Sequence, residues 1–99
     1  MKKIAFLLTL WITSATFAAG DYQAGQEKST TCAACHGPTG VSVNPMWPSL
    51  AGQHASYLAK QLRDFKNKQQ RDAPMMTALA ASLSEQDIED LAAFYARQP

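Results

Sequence analysis

The sequence predicts an all-α fold, and three observations carry the prediction. Apolar residues recur at helical spacing in the middle and in the last third of the chain. No stretch alternates apolar and polar residues as a half-buried strand would. The helical stretches are separated by one long segment rich in glycine and proline, between residues 36 and 53, which cannot be regular structure.

Taken in order, the chain opens on a leader. Lys2 and Lys3 precede the apolar run Ile4 to Ile12, and small residues fill Thr13 to Ala18, the outline of a secretory signal peptide over residues 1–18. Cleavage after Ala18 leaves Thr16 and Ala18 at the two small-residue positions; cleavage after Ala19 would set bulky Phe17 at one of them. The alternative, a retained membrane anchor, meets an apolar run well short of the roughly 18 residues a spanning helix needs. Beyond the leader, residues 19–99 are 81 residues with no composition break or internal repeat, hence one small domain. Domains of that size bury too little surface to be robust and usually gain a staple.

Asp21 or a neighbour can cap a first helix running toward Thr31, with Tyr22, Ala24, Gly25, Lys28 and Ser29 as its stripe. Glycine inside a helix costs stability, so Gly25 predicts a close helix crossing. Directly after it come Cys32, Ala33, Ala34, Cys35 and His36, which hold both cysteines and one of the two histidines. This spacing is the attachment motif of a covalent c-type haem. Two thiols three residues apart on a helical turn can each add to a haem vinyl group, and the imidazole next in line can reach the iron. A thioredoxin-like pair would need a βαβ context, which the polar stretch Gln26 to Thr31 does not supply. A zinc site would need four ligands, and only His54 remains. A plain disulfide in an exported chain would leave the adjacent histidine a coincidence.

A loop as long as the one from His36 to Gln53 needs a reason, and wrapping a cofactor edge supplies one. A prolyl carbonyl in it is the expected partner of the second His36 ring nitrogen. Ala55 to Phe65 reads as an amphipathic middle helix, with Leu58, Leu62 and Phe65 on one face. Ala73 to Thr77 reads as a loop that offers two thioethers, Met76 first and Met75 second, as the other axial ligand of the iron. Met46, ten residues after His36, is a poorer candidate, and His54 poorer still. The last helix begins at Ser84, which with Asp87 resembles a capping box, and carries Ile88, Leu91, Ala92 and Tyr95 as the face expected to pack on the first helix.

Seven basic residues against eight acidic ones in residues 19–99 leave no field for nucleic acid. Five of the seven, Lys60, Arg63, Lys66, Lys68 and Arg71, fall within twelve positions and suggest either a docking patch for an acidic redox partner or a merely solvated face.

Beyond the haem motif, several stretches match in order and spacing. They are Ala24-Gly25-Gln26, Cys32 to Gly37, Trp47 to Gln53, Tyr57-Leu58, Lys60-Gln61, Met76-Thr77, and Leu83 to Ile88 leading into Leu91 to Tyr95. On these the chain resembles the class I c-type cytochromes, and in particular a single domain of the cytochromes c4 and their small one-haem relatives. The resemblance implies a cytochrome c fold, three main helices wrapped around one covalent haem, and a periplasmic one-electron carrier with no enzymatic activity and no membrane insertion after cleavage. It implies that Met76, eight residues before Ser84, is the iron ligand, and that the Pro48 carbonyl accepts from His36. It also sets Trp47, Gln53 and Tyr57 near the haem edge, although plain core packing serves Trp47 equally well. No second Cys-x-x-Cys-His is present. Two other functions share the motif: a subunit of a larger redox complex, and a sensor or peroxidase-like protein with a labile methionine.

Overall fold

A computed structural model describes residues 2–11, 19–68 and 73–99. Five helices make up the described chain, with no strand among them: α1 (Tyr22–Lys28), α2 (Thr30–His36), α3 (Ala55–Asn67), α4 (Pro74–Ala81) and α5 (Glu85–Ala96). Residues 2–11 are exposed and without regular structure, and the small-residue part of the leader lies outside the described residues.

Asp21 caps α1 as expected, its Oδ1 accepting from the backbone N–H groups of Gln23 at 2.9 Å and Ala24 at 3.4 Å. The helix does not run on to Thr31, however. It breaks at Ser29, whose hydroxyl donates to the Gln26 carbonyl at 2.7 Å, and α2 restarts at Thr30. Such local side-chain bonds compete with the helical ladder, and the break lets α2 turn away from α1. Gly37 closes α2 at φ 84°, where a Cβ would lie 2.1 Å from the Val41 carbonyl oxygen, so only glycine fits.

Residues 73–77 are not a loop. Pro74 is the first residue of α4, with Met75 and Met76 in its opening turn, and the Ala73 carbonyl accepts from Thr77 N at 2.8 Å. Proline is well tolerated there, because the N–H it lacks would have no partner inside the helix. The capping box of α5 is complete: Ser84 Oγ accepts from Asp87 N at 3.0 Å, and Asp87 Oδ2 accepts from Ser84 N at 2.9 Å.

Helices α1 and α5 cross closely at Gly25, where a Cβ would stand 2.0 Å from the Asp90 carbonyl oxygen and 2.8 Å from Phe94 Cβ. Tyr22 packs on Phe94 with ring centroids 5.3 Å apart. The face of α5 that meets α1 is therefore the one bearing Asp90 and Phe94, not the stripe of Ile88, Leu91, Ala92 and Tyr95. Three members of that stripe, Leu91, Ala92 and Tyr95, line a cavity instead. Periodicity finds an apolar face but not its neighbour, and α5 is buried on two sides.

The Asp90 carboxylate, 2% exposed, accepts from Asp21 N at 2.8 Å, Lys28 Nζ at 2.7 Å and Gln86 Nε2 at 2.9 Å, and so locks the crossing. On the other side α3 packs against both α4 and α5. Among the described residues, five of the eight buried hydrophobic ones belong to α5, which makes it the spine of the fold.

Candidate haem site

Helix α2 sets Cys32 and Cys35 three residues apart, which puts both on one helix face, and His36 stands at its last position. Both cysteines are free thiols. Burial pushes the Cys32 thiol above its ordinary value, against the opposing influence of the nearby Thr31 and Tyr95 hydroxyls, so it is held protonated at neutral pH. His36 is buried, and its Nδ1 lies 2.7 Å from the Pro48 carbonyl oxygen. A carbonyl can only accept, so Nδ1 carries the proton and Nε2 keeps its lone pair for a metal.

Pro48 reaches this position because the long loop is tied down along its length. The Gly40 carbonyl accepts from Leu50 N at 2.7 Å and Ala51 N at 3.0 Å, and Gly52 N donates to the Tyr95 carbonyl at 2.9 Å. Ser42, Asn44 and Ser49 add side-chain bonds within the turn.

These elements enclose a cavity of about 410 Å³. From α2 and the loop it is lined by Cys32, Cys35, His36 and Pro48; from α3 by Leu58, Leu62 and Phe65; from α4 by Met75 and Met76; and from α5 by Leu91 and Tyr95. Gln53 and Tyr57 line it as well. Trp47 does not; it sits on the loop, 37% exposed. The residue beside it, Met46, lines the cavity instead. Met46 is nonetheless 80% exposed, so it stands at the rim of the cavity. His54 is exposed and outside the lining. Of the two methionines on α4, Met76 is partly buried and Met75 is 60% exposed, which favours Met76 as the inward thioether.

Tyr95 is a lining residue to which the sequence assigns a packing role but no part in the site. Its place four residues after Leu91, on the same helical face, is the available signal. Burial first, then the neighbouring Cys32, raises the pKa of its phenol.

Among the described residues of the basic cluster, Lys60 and Arg63 are ion-paired. Lys60 pairs with Asp64 at 2.7 Å, and Arg63 pairs with Glu85 at 2.7 Å and also with Glu89. Lys66 donates to the Leu83 carbonyl, Lys68 caps α3, and Arg71 lies outside the described residues. Counting like charges along the chain misses the acids that α5 brings across from more than twenty positions away.

No group of three or more His, Cys, Asp or Glu side chains among the described residues could hold a bare metal ion, and no described helix is long and apolar enough to cross a membrane. The sequence profile of the cytochrome c family matches residues 22–96, the whole span from α1 through α5. The chain belongs to the cytochrome c family.

Within that family, it is 54% identical over 81 residues to cytochrome c4 of Thiocapsa roseopersicina, a match covering 81% of this chain and 41% of that one. The crystal structure of reduced recombinant cytochrome c4 from Pseudomonas stutzeri resembles it with a TM-score of 0.78 at 44% identity, over 82% of this chain and 47% of that one. A thiosulfate dehydrogenase from Marichromatium purpuratum resembles it with a TM-score of 0.75 at 31% identity, over 88% of this chain and 21% of that one. The chain spans about half the length of the cytochrome c4 relatives it matches.

The cofactor of this family is covalent haem c, and the site suits it. Two free thiols share one helix face, an imidazole has its tautomer set by a carbonyl, and an apolar hollow holds a buried phenolic hydroxyl with no partner of its own among the described residues. A cavity of this volume falls within the roughly 300–1,000 Å³ range of cofactor clefts.

Proposed function

We propose that the chain is a periplasmic one-electron carrier, exported by the leader 1–18, in which His36 and Met76 are the axial ligands and Cys32 and Cys35 the tethers. The observation that carries this is the commitment of His36 Nδ1 to Pro48 at 2.7 Å, inside a cavity that Met76 also lines. Bound there, haem c supplies a one-electron couple between ferrous and ferric iron.

The chain's own residues account for the rest. Cys32 and Cys35 would hold the haem through thioether bonds to its vinyl groups, and that tether would keep the His36 imidazole registered. Pro48 holds that imidazole in one orientation, which a carrier needs because any ring motion on oxidation would slow transfer. Leu58, Leu62, Phe65 and Leu91 exclude water from the walls and so favour the less charged ferrous state. Met76, which lines the same cavity as His36, would supply a thioether ligand that favours a raised potential and electron transfer over binding of gas or peroxide.

Absorption-monitored redox titration of the purified protein tests the proposal. A ferric sulfur-to-iron charge-transfer band is expected in the native protein, kept in Met75→Ala and lost in Met76→Ala. Rapid carbon monoxide binding by the reduced native protein would defeat it.

A second reading, the electron-accepting subunit or domain of a dehydrogenase, draws on the likeness to the thiosulfate dehydrogenase structure, where the match covers only a fifth of that chain. Co-purification of a dehydrogenase at fixed stoichiometry would favour it over a free carrier.

A further inference from the structure

The hydroxyl of Tyr95 is buried and has no hydrogen-bond partner among the described residues. Buried polar groups are nearly always paired, so an orphan needs an explanation. Misplacement of the ring is not one, because its position is fixed on several sides. The ring stands edge-on to Phe94 with centroids 5.0 Å apart, and a Cβ added at Gly40 would lie 2.7 Å from its Cδ1. Its own carbonyl accepts from Gly52 N at 2.9 Å, and the whole residue is 3% exposed. The hydroxyl therefore cannot swing out to water.

Cys32 packs against the core cluster that holds Tyr95 and lines the same cavity, and Ser29 stands close by. Ser29 donates to the Gln26 carbonyl at 2.7 Å and keeps its oxygen as a competing acceptor, whose contribution does not depend on haem attachment. Cys32 is different, because its chemistry changes when the haem is attached. As a thiol it brings a donor to a place that already has one. As a thioether it has no hydrogen and offers lone pairs only.

We propose that Tyr95 is a positioning residue for the haem tether, its O–H donating to the Cys32 sulfur once that sulfur is a thioether. The proposal rests on the assignment of haem to this cavity. The bond pins the end of α5 to the first tether, and a donor at the sulfur draws electron density away from the macrocycle, which raises the reduction potential.

The test compares native holoprotein with Tyr95→Phe, which keeps the ring and removes only the hydroxyl, and with Ser29→Ala. Resonance Raman carbon–sulfur stretching bands, the reduction potential and the thermal midpoint are read together. The expected result is a shifted carbon–sulfur band, a lowered potential and a lowered midpoint in Tyr95→Phe, with band and potential unmoved in Ser29→Ala. An unmoved band in Tyr95→Phe overturns the proposal, and a raised midpoint would then identify the hydroxyl as an orphan in the loaded protein too. Equal band shifts in both variants overturn it as well, since the serine would be the partner. A protein that carries no haem after expression with the attachment machinery defeats the haem assignment itself, whereas a haem-loaded protein with unmoved bands defeats the tyrosine assignment alone.

Discussion

Replacing Asp90 with asparagine should destabilise the holoprotein by about 2 kcal/mol at pH 7, and the deficit should shrink in acid. The amide would keep one carbonyl oxygen in the place of Oδ1, which accepts from both Asp21 N and Gln86 Nε2. In the place of Oδ2, which accepts from Lys28 Nζ at 2.7 Å, it would set an NH2 group that can only donate. One charge-assisted hydrogen bond is lost, worth about 1.5–3 kcal/mol. The larger penalty of about 3–5 kcal/mol for breaking a buried pair does not apply, because Lys28 is one-third exposed and keeps Asp87 at 2.8 Å. Burial of Asp90 acts to raise its pKa, but the bonds from Asp21 N, Lys28 and Gln86 outweigh it and hold the carboxyl below its ordinary value. A depressed carboxylate contributes its stability above the unfolded pKa, near about 4, and loses it as pH falls through the folded value. Native and variant unfolding curves in denaturant should therefore lie about 2 kcal/mol apart at pH 7 and converge below about pH 4. A gap that stays constant from pH 7 to pH 3, or one below about 0.5 kcal/mol at pH 7, would refute the claim that the Asp90 charge locks the crossing of α1 and α5.

The same contacts dictate two further outcomes. Gly25→Ala should cost about 2 kcal/mol in denaturant unfolding, because a Cβ 2.0 Å from the Asp90 carbonyl forces the helices apart and outweighs alanine's helix-propensity gain of about 1 kcal/mol. Because Lys60 and Arg63 are neutralised within the fold, electron-exchange rates with a redox partner should change less than about threefold between low and physiological salt, a stopped-flow measurement that a steered, roughly tenfold or steeper dependence would contradict.

How much of the molecule is legible in the sequence depends on the range of the interaction. The haem motif is a matter of one helical turn, the box at Ser84 and Asp87 spans three residues, and both can be read directly. The close crossing at Gly25 is legible as a need, since an interior helical glycine without such a reason is unfavourable, but its partner on α5 is not. The opening turn of α4 is hidden because proline reads as a breaker, when at the first helical position it is favoured and the alanines after Met76 sustain the helix. The paired state of Arg63 is invisible because Glu85 and Glu89 come from another helix. Which of Met46 and Trp47 borders the cavity is not legible, because no pattern fixes side-chain direction in a loop.

The two sides of the cavity are fastened unequally, and this bears on which proposed ligand is the more easily released. On the His36 side, α2 succeeds α1, α1 is locked to α5 at Gly25 and Asp90, and the loop carrying Pro48 is bonded to Gly40 and to the Tyr95 carbonyl. On the Met76 side, α4 packs on one other described helix, α3, and its lining face is completed only by what fills the cavity. Local opening tracks the weakest set of buried contacts, and α4, held by α3 alone among the described helices, is an element it can free. The covalent tethers sit on the better-fastened side. If Met76 is a ligand as proposed, an excursion that freed it would leave the tethers and His36 in place, and the site would be restored by repacking one short helix.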